Sequence, residues 1–131
     1  MKDLIVDQFQ NSVDEVLIRH DNVLDVITKM SDATAKVNRA VAKTITSCGC
    51  VEMHSAKQDI PDDANYEALK AFSKSNMSGE LCTTCREKIE AEIGNQLFYL
   101  AALCNHMDIN LYDVFLKEFD RIKTLGKYNL Y

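Results

Sequence analysis

Apolar side chains recur at three- and four-residue steps through most of this chain, interrupted only by short polar breaks. Phe9, Val13, Val16, Leu17, His20, Leu24 and Ile27 mark one face of an amphipathic helix spanning Leu4 to Ile27, with a break expected near His20-Asp21-Asn22. Ser31 or Asp32 is placed to cap a second helix through Val37, Ala40, Val41, Thr44 and Ile45. That helix ends at Ser47-Cys48-Gly49-Cys50, where Gly49 allows a tight reversal of the backbone. Val51 to Asn65 is polar and acidic and reads as a connection, and Pro61-Asp62-Asp63 starts a short third helix through Tyr66, Leu69 and Phe72. Ser73 to Gly79 breaks it. The longest helix begins at Thr83 or Thr84 and reaches about Asn105, with Ile89, Ile93, Leu97, Leu100 and Cys104 as its predicted buried stripe. Asn110 caps a final helix, with Asp113 three residues on in the sense of a capping box. Its apolar face is Leu111, Val114, Phe115, Phe119 and Ile122, and Gly126 lies just beyond its end. No segment shows the alternation of a strand. The expected fold is all-α, a bundle of four to five helices forming one domain over residues 1–131.

Composition narrows what such a bundle does. One Pro, four Gly and no Trp suit a helical chain, and 47% apolar residues supply a core without help from disulfides. The formal charge of −5 argues against a nucleic-acid surface, which needs clustered Lys and Arg. Basic residues are interspersed with acidic ones, which argues against an anionic membrane surface. The longest apolar run, Leu97 to Cys104, is too short to span a bilayer. Met1 to Asp7 shows no signal-peptide pattern, so a cytoplasmic location is expected. In that reducing setting, close cysteine pairs serve metals or redox chemistry more often than structural disulfides.

Two such pairs are present, Cys48-Gly49-Cys50 and Cys82-Thr83-Thr84-Cys85. One falls at the end of the second helix and the other at the start of the long one, where free backbone N–H groups favour a thiolate. Four sulfurs meeting there would surround one zinc ion at about 2.3 Å each and clip a loop of about thirty residues between them. An iron–sulfur cluster uses the same four thiolates. Cys82-Thr83-Thr84-Cys85 also has the form of a redox dithiol, although no strand precedes it. A four-thiolate zinc site has no open position for substrate, so its expected role is to hold the fold. Cys104 is nineteen residues beyond Cys85, roughly 28 Å along the helix, and reads as a small buried hydrophobe. His54 is a substitute ligand for one cysteine. His20 reads as a core histidine, and His106 as a favourable charge at a helix C-terminus.

Glu90 to Leu103, followed by Asn105-His106-Met107-Asp108-Ile109-Asn110-Leu111, resembles the last two helices of MazG-like nucleoside triphosphate pyrophosphohydrolases. That resemblance implies an all-α, usually oligomeric fold that hydrolyses nucleoside triphosphates with Mg²⁺. The family holds magnesium with Glu-Glu-x-x-Glu on one helix and Glu-x-x-Asp on a later one. Glu92 matches the glutamate of the second motif, while Asn95 stands at its aspartate position. The helix expected to carry the first motif reads Val37-Asn38-Arg39-Ala40-Val41-Ala42-Lys43-Thr44, which has two positive charges and no carboxylate. There is no phosphate-binding glycine loop, no His-Glu-x-x-His and no nucleophile elbow. Taken without the resemblance, Glu92, Asn95 and Tyr99 share one helical face with structural hydrogen bonds.

The expectation is a non-catalytic, zinc-binding interaction or regulatory relative of the MazG-like fold, a homodimer through its helix faces or a binder of another protein. The alternatives are a Mg²⁺-dependent pyrophosphohydrolase using Glu92 and Asn95, and an iron–sulfur or thiol redox sensor. The aromatic end Tyr128-Asn129-Leu130-Tyr131 is expected to fold back on the body or meet a partner.

Overall fold

A computed structural model describes residues 4–57, 62, 63, 65, 67 and 76–126. Four helices dominate them: α1 (Ile5–Val16), α2 (Val23–Lys43), α3 (Thr83–His106) and α4 (Leu111–Leu125). A π-helical turn, Thr44–Cys48, extends α2, and two three-residue strands, β1 (Val51–Met53) and β2 (Met77–Gly79), precede α3.

The first apolar stripe divides where its polar break predicted, between Val16 and Val23. Asn22 caps α2, its side-chain oxygen accepting the Asp25 N–H at 2.9 Å. The second helix thus starts about two turns earlier than Ser31 or Asp32 would place it. Both residues lie inside α2, where Asp32 pairs with Lys36 at 3.0 Å. His20 corrects another expectation. It is exposed in the connection, has φ +56° and lies 3.2 Å from the Asp25 carboxylate, because the helix ends before the stripe reaches it.

The core is small and sits where the four helices converge. Val13, Val26, Ala101, Ala102, Cys104 and Leu111 form it, with Val6, Leu17, Phe98 and Leu103 against it. Cys104 therefore has the packing role its distance from the other cysteines suggested. Buried Gln10 ties α1 to the turn between α3 and α4. Its amide donates to the Ile109 carbonyl at 2.7 Å, and its oxygen accepts the Leu111 N–H at 2.8 Å. Asn105 adds a donation to the Gln10 backbone carbonyl at 3.0 Å. Asn110 caps α4 by accepting the Asp113 N–H at 2.9 Å.

The predicted stripe of α3 is corrected in part. Cys104 is buried and Ile89 half-buried, but Ile93, Leu97 and Leu100 are exposed to 42%, 41% and 37%. α2 packs on the other side of the helix, where Gln96 donates to the Thr34 hydroxyl at 3.0 Å. On α4 only Leu111 of the predicted face is buried, and Val114, Phe115, Phe119 and Ile122 are exposed.

The two strands were not expected. They pair antiparallel, Val51 opposite Gly79 and Met53 opposite Met77, and are too short to show a period of two in sequence. Asp62 and Asp63 lie in an exposed turn. The rest of the predicted third helix, including Tyr66, Leu69 and Phe72, lies outside the described residues, as does Tyr128 to Tyr131. No described helix is long and apolar enough to cross a membrane.

Candidate metal centre

Three backbone features bring the cysteines together. The π turn closes with Gly49 N–H donating to the Thr44 carbonyl at 2.8 Å, one residue wider than an α-helical bond. Thr44 is buried and anchors this turn by donating its hydroxyl to the Val41 carbonyl at 2.7 Å. Gly49 then takes φ +78°, the reversal its place between two cysteines predicted, and returns Cys50 toward the first turn of α3. The β1–β2 ladder joins the chain on either side of the intervening segment.

On the opposite wall Cys82 caps α3, its sulfur accepting the Cys85 N–H at 3.4 Å. Ser, Thr, Asp and Asn commonly hold this position, and here a cysteine sulfur takes the same bond. The result is that Cys48, Cys50, Cys82 and Cys85 place their four sulfurs within 4.8 Å of one another. Cys48 and Cys82, from opposite walls, are 3.8 Å apart. Cys48 is exposed and the other three are half-buried. All four cysteines picked out from sequence are thus gathered at one point where they could bind a metal.

The protonation of the group follows from this crowding. The Cys85 backbone N–H, followed by the Cys85 thiol, lowers the Cys82 pKa to about 7. With Cys82 ready to ionise first, hydrogen bonding to it raises Cys85 to about 12, and partial burial adds to the effect. One thiolate is favoured and a second is opposed. A bound cation removes that opposition by neutralising the added charge.

The other candidates are placed elsewhere. His54 is exposed beyond β1, with its ring nitrogen 3.0 Å from the Ser78 hydroxyl, and is not one of the four converging ligands. His106 ends α3 and lies 2.6 Å from an Asp21 carboxylate oxygen. Glu92 is largely buried and pairs with Lys88 at 2.8 Å, and Asn95 on the same face is half-buried. Among the described residues, no further group of three or more His, Cys, Asp or Glu side chains converges as a metal site.

The chain matches no family model, no curated protein and no solved structure.

Gly79 is a member of this region that the spacing of the cysteines did not reveal. It has φ +87°, and an added Cβ would meet the Cys50 carbonyl oxygen at 2.5 Å. The only trace in the sequence is a glycine three residues before Cys82. Gly79→Ala is expected to cost about 1–3 kcal/mol through backbone strain and to push Cys50 away from its partners. A lowered unfolding midpoint together with weaker metal retention against a competing chelator checks this. An unchanged protein would show that the ladder does not support the cysteines.

Proposed function

We propose that this chain is a small zinc-binding helical protein in which the metal fixes the fold and the activity is interaction or regulation. The convergence of the four sulfurs carries the proposal. Ligands at about 2.3 Å from a tetrahedral ion are separated by about 3.8 Å. The Cys48–Cys82 distance of 3.8 Å matches that edge. A four-iron cluster places each thiolate on a different iron, which spreads the sulfurs further than a single ion does. Zinc is therefore favoured over a cluster, and its complete thiolate shell leaves no position for a substrate.

A non-catalytic role also agrees with the surroundings of Glu92. Its neighbour in the ion pair is Lys88, and it acts electrostatically on Lys36, which itself pairs with Asp32. Hard Mg²⁺ favours oxygen ligands with negative charge, and the described neighbours of Glu92 on this face are mainly cations. Kinship with the MazG-like fold rests on the Glu90–Leu103 segment, with the catalytic carboxylates replaced. The exposed apolar faces of α3 and α4 supply the surface for association with a second copy.

Elemental analysis of the purified protein tests the metal, and a pyrophosphate-release assay with Mg²⁺ and the common nucleoside triphosphates tests the absence of chemistry. One zinc per chain and no turnover are expected. A visible iron–sulfur chromophore, or a metal-free folded chain, would overturn the zinc reading. Turnover lost in Glu92→Ala would overturn the non-catalytic one.

A further inference from the structure

A groove of about 540 Å³ lies between α2 and α3, and Cys85 of the thiol cluster forms part of its wall. Lys36, Arg39 and Lys43 line it from α2, while Lys88 and Glu92 line it from α3. The three α2 residues are spaced i, i+3 and i+7 and so share one helical face. Four cations and one carboxylate leave three net positive charges (4 − 1) in the groove of a chain whose formal charge is −5.

Two of these cations are already engaged. Lys36 pairs with Asp32 at 3.0 Å and Lys88 with Glu92 at 2.8 Å. Arg39 and Lys43 have no ion-pair partner among the described residues. A solvated helical face more often spreads its charges or alternates their sign. Here exposed cations from two helices border a shared concavity, so their fields add at its mouth.

The lining also selects the chemistry of the occupant. A guanidinium fork and several ammonium groups match the oxygens of a phosphate, and the volume suits a small molecule. Among the described residues no aromatic side chain lines the groove, so recognition falls on the anionic group. With one carboxylate among four cations, the described lining favours an anion over a divalent cation. We propose that this groove binds a phosphate-bearing small molecule through its phosphates and without a divalent metal. The cations are present whether or not the thiols hold zinc, so this proposal stands separately from the metal reading.

Calorimetric titration of the zinc-loaded chain with inorganic pyrophosphate, with no added divalent metal, provides the test. Saturable binding that weakens as salt rises is expected. The Arg39→Gln/Lys43→Gln double variant should lose at least about tenfold in affinity, Lys36→Gln severalfold, and Lys29→Gln outside the groove nothing. Parallel titrations with ATP and orthophosphate identify the source. Tighter binding of ATP assigns the groove to a nucleotide, and tighter binding of pyrophosphate assigns it to an inorganic polyphosphate. Either result carries the proposal.

No binding at millimolar pyrophosphate, binding only with Mg²⁺, or equal affinity in the double variant would overturn it. Thermal unfolding and zinc content are measured on the same variants. If the double variant loses zinc and stability but keeps its affinity for pyrophosphate, the cations are counter-charges for the thiolates and the proposal fails.

Discussion

Cys82→Ser is expected to abolish zinc retention and to lower the unfolding midpoint by roughly 10–15 °C. Zinc present at a hundred to a thousand times its dissociation constant stabilises the native chain by about 2.7–4.1 kcal/mol, which corresponds to about 10–15 °C for a domain of this size. Cys82 is the N-cap of α3 and one of the four proposed zinc ligands, and this substitution separates the two roles. Serine is among the better capping residues, so the cap survives while the metal ligand is lost. Cys48→Ser removes an exposed ligand without disturbing a helix cap and should give a similar loss. Cys104→Ser is the contrasting case, lowering stability through the core while leaving one zinc per chain. The clip and the core lie far apart along α3, since Cys85 and Cys104 are separated by roughly 28 Å of helix. Chelation should therefore expose amides of the π turn, the β ladder and the first turns of α3 to hydrogen exchange before those near Ala101 and Leu111. A chain whose melting and exchange are unaffected by chelation would refute a structural role for the metal.

What the sequence revealed in advance was chemistry confined to neighbouring residues. Cys48-Gly49-Cys50, the Cys82 pair and the Asn110 cap each state their geometry within a few positions, and the structure brings all of them to the expected places. Asn22 and Ser31 are both good caps, and only the continuous packing of α2 along α3 decides between them. β1 and β2 owe their pairing to chain segments far apart in sequence, which no local period records. The same limit hid the basic groove. Arg39 and Lys43 are visible in sequence as missing carboxylates, but their convergence with Lys88 depends on how two helices meet. On α3, apolar residues occupy more than one side of the helix. Phe98, Ala101 and Ala102 reach the core, and Ile93, Leu97 and Leu100 do not. A hydrophobic stripe does not say whether the same chain or a second one will cover it.

That uncovered stripe gives the second large expected effect: Leu97→Glu should convert the proposed homodimer into monomers. The described helices expose large apolar side chains, with Phe115, Phe119 and Ile122 of α4 exposed to 53%, 59% and 50%. A closed dimer uses the same patch twice, so one substitution places two glutamates in the interface. Lost apolar burial of about 1.5–3 kcal/mol at each copy, with like charges brought together, weakens the dimer by at least about a hundredfold. Phe119→Glu should act in the same direction if α4 belongs to the interface, while Lys117→Ala removes a charge without this penalty. Sedimentation equilibrium across micromolar concentrations measures the mass directly. Twice the chain mass for the native protein and a single chain mass for Leu97→Glu, with zinc still bound, would establish the interface. A native protein that sediments as a single chain throughout would instead leave these faces open to a different partner, and the homodimer would be refuted.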